Sequence, residues 1–319
     1  MTSVGGPVAW GVFGVVVLAM LAIDLGVFNR KAHVVSVKEA AAWSLIWISL
    51  ALAFNAFVLV RFGQDRALQF FQAWLIEKAL SVDNLFVFLA AFSFFAVPPQ
   101  LQHRVLFWGI FGALVTRGVF IIAGAALLAA FHWVMYVFGA VLILTAIRLL
   151  FGAEEAVHPE RNPVLKVFRK LVRVTPDYDG PHFIVRRHGV RYATPLLMVL
   201  VVIEASDVVF AVDSIPAVFA ITRDVFIVYT SNIFAIFGLR ALCFLVASLV
   251  RRLHYLKPGL ALVLAFVGLK MVLADKLPIS DMLSLAVVGG ILLVAAIVSW
   301  IFAPKADADA PSSPPSAAE

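Results

Sequence analysis

Six acidic residues, Asp24, Glu77, Asp83, Glu204, Asp207 and Asp213, interrupt stretches of the chain that are otherwise almost wholly apolar. An ionised side chain at the centre of a membrane helix costs about 2.5–3.5 kcal/mol on insertion scales, so a set of six needs partners or a purpose. Glu77, Ser81 and Asn84 recur at i, i+4 and i+7, which puts them on one helix face, with Asp83 about 100° further round. Glu204 and Asp207 share a face of a second helix, and Asp213 lies further along it. Pro216 then removes a backbone donor, which frees carbonyl oxygens near Asp213 for coordination. Two arginines at similar depth, Arg117 and Arg240, are too few to neutralise six acids and read as locks that hold them in place. Lys78 is long enough to reach the outer interface. With Asn55, Ser206, Ser214 and Asn232, the donor set is carboxylate, amide and hydroxyl oxygen, which suits Mg²⁺, Ca²⁺ or Mn²⁺ rather than Zn²⁺ or Cu⁺. The metal-ligating set expected is Glu77, Asp83, Asn84, Glu204, Asp207 and Asp213, supported by Asp24, Ser81, Arg117, Ser206, Ser214, Asn232 and Arg240.

Other chemistries find little footing. The chain has neither H-E-x-x-H nor a G-x-x-x-x-G-K-[ST] loop, so an intramembrane zinc protease and ATP drive both lack their motifs. No nucleophile–base pair occurs at membrane depth, and neither enzymatic activity nor a resident cofactor is expected. The seven histidines fall in loops or at span ends, and Cys243 is the single cysteine, which excludes an intrachain disulfide framework. The net charge of +6 is a matter of loop location and not of nucleic-acid binding.

The elements that must position these residues are membrane helices. Of 319 residues, 63% are hydrophobic and 14% charged, with a mean hydropathy of +1.02, which is not a soluble composition. Apolar runs at 8–28, 40–60, 69–96, 105–128, 132–151, 194–220, 225–249, 258–274 and 282–303 predict an all-α polytopic protein of nine spans, one transmembrane domain over 1–303. No basic residue precedes the first run, so it is expected to stay as a span and not be cleaved. Sixteen Lys and Arg fall on one side of that arrangement and four on the other, so the N-terminus is expected outside and the C-terminus in the cytoplasm. In the loop 152–193, Val164, Phe168 and Leu171 alternate with Lys166, Arg169, Lys170 and Arg173, predicting a basic amphipathic helix against anionic lipid. Turn residues at Asp179-Gly180 and His188-Gly189 suggest a small hairpin after it. The polar, Pro-rich tail 304–319 is expected to be disordered.

An internal echo organises the middle of the chain. Ile110, Phe111 and Arg117 match Ile233, Phe234 and Arg240, Asp83 matches Asp207, and Arg148 matches Lys270, all at offsets of 122–124. Three-helix units repeated at about 69–151 and 194–274 (helices 3–5 and 6–8) must insert with opposite topology, and inverted repeats place a transporter's site at the midplane between them. A rival register at offset 130 pairs Glu77, Asp83 and Asn84 with Asp207, Asp213 and Ser214, at the expense of the cation matches.

The stretches "DLGVFNRKAHVVSVKEA", "EKALSVDNLFVF", "VPPQLQHRVLFWGIFGALVTRGVFI", "PLLMVLVVIEASDVVFAVDSIPAVFAITRDVFIVYTSNIFAIFGLRALCF" and "GLALVLAFVGLKMVLAD" resemble the TerC family of integral membrane proteins. The extra N-terminal span and the loop resemble its Alx-type bacterial members. The resemblance implies Mn²⁺ efflux across the inner membrane, a link to tellurium resistance, and distant kinship with LysE-type exporters built from inverted three-helix units. It carries the acidic site onto Glu77, Asp83, Asn84, Glu204, Asp207 and Asp213. The reading is a secondary carrier exporting Mn²⁺ against protons. The alternatives are a Ca²⁺/H⁺ exchanger, a tellurium-resistance factor, or a scaffold for membrane-protein biogenesis acting through the basic loop.

Overall fold

The computed structural model describes residues 3–28, 36–151, 163–249, 256–277 and 279–301. Its elements in order are α1 (Pro7–Phe28), α2 (Val37–Phe62), α3 (Gln64–Phe94), α4 (Pro99–Ala130), α5 (Val134–Phe151), α6 (Pro163–Leu171), β1 (Ile184–Arg187), β2 (Val190–Ala193), α7 (Pro195–Phe219), α8 (Val225–Ile236), α9 (Leu239–Leu249), α10 (Leu256–Val272) and α11 (Asp281–Ile301). Five of these are long and apolar enough to cross a membrane: α2, α4, α5, α7 and α11. The chain is thus a helical membrane protein. The expected tail 304–319, and the first part of the loop at 152–162, lie outside the described residues.

Local chemistry sets the boundaries. Ser36 opens α2 by accepting from the Glu39 backbone N–H, in an S-x-x-E arrangement. Pro99 and Pro195 start α4 and α7, where a missing N–H costs nothing. Asp224 caps α8, accepting from the N–H groups of Phe226 and Ile227, and its other oxygen accepts from Val4 N at 2.8 Å, tying the N-terminal segment down.

The run 225–249, read as a single span, is two helices. Residue 238 adopts φ +88°, a left-handed conformation natural to glycine, and its missing side chain leaves room for Trp47, whose Cβ would lie 2.9 Å from an added Cβ. The chain therefore turns at Phe237-Gly238 while staying buried. The hairpin is present, with β1 and β2 antiparallel and His188-Gly189 at φ 50° and 80°, the primed turn that matches strand twist.

The amphipathic helix α6 is also present, and it packs on α7 while turning Val164 and Leu171 of the expected apolar face outward. Leu165 is buried and Phe168 packs beside it, whereas Val164, Val167 and Leu171 face outward. The helix docks on α7 through the Leu165–Phe168 stripe because i, i+3 spacing aligns those two and turns the other stripe away.

In the bundle, α3 packs on α8 and α4 on α7, α3 lies along α7, and α5 lies along α10. The last contact is close because glycines meet: an added Cβ on Gly268 would stand 2.9 Å from the Gly139 carbonyl oxygen. Two apolar clusters result, one joining α1–α4 to α7–α9, the other joining α3–α5 to α7, α10 and α11.

Candidate functional site

Between the clusters sits a polar knot centred on Arg117 of α4, which is fully buried. Its guanidinium donates to Glu77 Oε1 of α3 in a close ion pair and to Asp207 Oδ1 of α7 at 3.1 Å. The Nη1 group also reaches Asn232 Oδ1 of α8 at 3.3 Å and Ser214 Oγ of α7 at 3.4 Å. Four helices therefore converge on one cation. A planar guanidinium with a fixed fork suits this task, since it bridges two carboxylates from different helices.

The knot leaves oxygen to spare. Glu77 Oε2 and Asp207 Oδ2 are buried without a hydrogen-bond partner, as are Asn232 Nδ2 and Arg117 Nε. Buried polar atoms are normally satisfied, and two orphaned carboxylate oxygens in one place are a site chemistry can use. With both acids ionised, two negative charges face one positive charge.

The remaining sequence-expected ligands are distributed around this centre. Asn84 is buried on the same helix as Glu77, and Ser81 Oγ donates back to the Glu77 carbonyl at 2.7 Å. Ser206 Oγ likewise donates to Val202 O. Glu204, half-buried one turn from Asp207, lies with its carboxylate against Gly112 of α4. Asp213 turns to α5 and accepts from Thr145 Oγ1 at 2.7 Å. Asn55 keeps a buried, unpartnered Oδ1 on α2. The side chains of Asp24, Asp83 and Arg240 lie outside the described residues. Among the described residues no three His, Cys, Asp or Glu side chains form one metal-binding group.

Lys78 departs from its expected path to the outer interface. Its ammonium donates to the carbonyls of Ala235 at 3.1 Å and Phe237 at 3.4 Å, at the α8–α9 break. The end of α8 leaves carbonyls without intrahelical partners, and a cation is favoured at that negative helix pole. Broken helices with freed carbonyls at membrane depth belong to the architecture of ion-coupled carriers.

Several contributors were invisible to sequence reasoning. Thr145 and Gly112 matter through what they touch on α7. Gln72 donates to Ser284 Oγ at 2.6 Å and Gln69 to Asp281 at 3.0 Å, binding α3 to α11, while Lys270 pairs with Asp281 at 3.6 Å. The polar residues recurring three apart in α3 (Gln69, Gln72) were the available signal.

Residues 62–307 match the family described as integral membrane protein TerC. A membrane protein of Myxococcus xanthus, STKORF319, is 51% identical over 312 residues, covering 97% of this chain and 98% of its own. The membrane-bound redox modulator Alx of Escherichia coli strain K12 is 47% identical over 311 residues, covering 94% and 97%. A membrane protein of Rickettsia felis is 42% identical over 293 residues, covering 92% and 97%. No solved structure matches the chain.

Proposed function

The chain belongs to the integral membrane protein TerC family, and on that premise we propose that it is a secondary carrier exporting Mn²⁺ in exchange for protons. The observation that supports this most is the pair of buried acids from different helices, Glu77 and Asp207, sharing one guanidinium while each keeps an oxygen free. Those oxygens, with Asn232 and Ser214 beside them, are hard donors of the kind Mn²⁺ and Ca²⁺ take.

In this reading Arg117 holds the two carboxylates together when the site is empty, and the divalent ion enters against Glu77 Oε2 and Asp207 Oδ2. Glu204, close to Asp207 and without a cationic partner among the described residues, holds a proton that leaves as the metal arrives. Asp213 and Thr145 line the next step along α7 toward α5. Asn84, buried on α3 with Glu77, adds an amide oxygen to this path, to which the sequence reading also assigns Asp83 and Asp24.

Packing also favours an inverted repeat of α3–α5 and α7–α10, with α8 and α9 as one broken helix and nine spans in all. Exchanging the two units maps α3 against α8 onto α7 against α4, and it maps α5 against α10 onto itself. Glu77 and Asp207, the acids on the shared arginine, are 130 residues apart, as are Asn84 and Ser214, so the repeat is better taken in that register than at 124. The basic-residue balance supports an orientation with the 152–193 loop and the C-terminus in the cytoplasm, and the family resemblance supports the inner membrane.

The redox activity in the name of several relatives finds no thiol couple here: Cys243 is the single cysteine and is buried. The decisive experiment is reconstitution. Pure protein in proteoliposomes should move Mn²⁺ when a pH gradient is imposed and acidify or alkalinise the lumen in step. If no Mn²⁺ moves under either a pH gradient or a voltage, the carrier reading is wrong.

A further inference from the structure

At the end of the bundle remote from Asp281, a groove of about 770 Å³ opens between the C-terminus of α3 and the N-terminus of α7. Its floor is apolar, with Phe94 and Phe95 from α3 and Pro195 and Met198 from α7. Its rim is the last turn of α6 and the segment that follows, which supply Arg169, Lys170 and Arg173. Among the described residues no acidic side chain lines it, and none lies within ion-pair distance of those three cations. Tyr178 donates to the Phe95 carbonyl at 2.7 Å, and Ala193 N donates to Arg173 O at 2.9 Å, so the basic rim is fastened to both the α3 end and the strand that leads into α7. The groove is thus built rather than a gap beside a loose loop.

We propose that this groove is a binding site for an anionic phospholipid, its phosphate held by Arg169, Lys170 and Arg173 and its acyl chains laid over Phe94, Phe95 and Leu171. Three observations select a lipid over a free anion. Pro195 begins α7, one of the helices long and apolar enough to cross a membrane, and the end of such a span falls near the headgroup layer. The apolar floor has no use for a wholly polar ligand. Leu171 (78% exposed) and Phe94 (40% exposed) continue that floor outward as surface that hydrocarbon would cover. A cluster of near-surface cations gains from an anionic headgroup at every charge, and here the positions are fixed. The consequence reaches further than anchoring. The lipid would clasp the ends of the two helices that carry Glu77 and Asp207, so that the headgroup composition of one leaflet sets how freely α3 and α7 move against each other. The binding claim stands apart from the carrier reading, since it is read by lipid retention and not by flux.

The test is a titration of the delipidated full-length protein with phosphatidylglycerol, followed by native mass spectrometry, with phosphatidylcholine and inorganic phosphate as comparison probes. R169Q/K170Q/R173Q should lose affinity for phosphatidylglycerol by on the order of tenfold to a hundredfold, given the contribution of each near-surface cation. K166Q/R186Q/R191Q, which removes the same charge away from the groove, should leave it nearly unchanged. L171E, at an exposed position that folding tolerates, should weaken binding with all three rim cations present. Equal losses in both triple variants would reduce the effect to diffuse charge and overturn the site. So would competition by inorganic phosphate as strong as that of the lipid, or binding of phosphatidylcholine as tight as that of phosphatidylglycerol.

Discussion

Arg117 is the residue on which the most depends. Removing its charge by Arg117→Gln strands Glu77 and Asp207 in the interior, and breaking a buried pair in this way costs about 3–5 kcal/mol. The melting temperature and yield of that variant should fall well below those of Asp207→Asn, which leaves the guanidinium paired with Glu77. Gly112 offers the opposite separation. A methyl there would press on the Glu204 carboxylate, the far end of a flexible side chain that can yield, so Gly112→Ala should melt as the parent does. If Glu204 carries the exchanged proton, its displacement should slow Mn²⁺ flux or shift its pH dependence, and an unchanged profile would remove Glu204 from the path. The acids themselves were legible in the sequence because charge in an apolar run is conspicuous. The partners were not: which acid meets Arg117, and that Asp213 turns to Thr145, depend on helix rotation and tertiary contact that spacing along one helix does not determine.

Among the elements, α5 and α10 depend most on small residues. A side chain at Gly268 would meet the Gly139 carbonyl oxygen, a backbone atom with no freedom to move aside. Gly268→Val should therefore spread the pair and lower stability by about 1–3 kcal/mol, the usual range for overpacking, as read from thermal melting in detergent. The helix runs were readable from hydropathy alone, and so were the α6 helix and the hairpin, whose turn residues announce themselves. The break at Phe237-Gly238 was hidden because one glycine in an apolar stretch is ordinary in membrane helices. What marks it is the fit of Trp47 against Gly238 and the reach of Lys78 from α3, both tertiary. The docking of α6 on α7 through Leu165 was hidden for the same reason, since the periodicity marked Val164, Phe168 and Leu171 and not the residue that meets α7.

On the scale of the whole molecule, the α5–α10 end of the bundle carries an acid dependence of its own. Asp275, in the turn after α10, is held below the usual carboxylate range by the hydrogen bond from the Tyr136 hydroxyl (2.6 Å), and then by the bond with His132 (3.0 Å). A depressed carboxyl contributes stability at pH above its unfolded value and loses that contribution as pH falls through its lower folded value. The loosening of the α5–α10 end should thus appear only under strong acid, and Asp275→Asn should remove that part of the acid dependence of the melting temperature. Sequence and structure agree on a mostly helical membrane protein. Within the proposed repeat, the offset-130 register, set aside because it loses the cation matches, gains weight once Glu77 and Asp207 are seen on one guanidinium. The central claim is that those two carboxylates form the cation path, and radioactive Mn²⁺ uptake by proteoliposomes holding folded Glu77→Gln or Asp207→Asn protein tests it most directly. Uptake should fall to the level of empty vesicles in both variants while the parent protein transports. Parental uptake by the two variants would contradict the claim and return Glu77, Arg117 and Asp207 to a purely structural role.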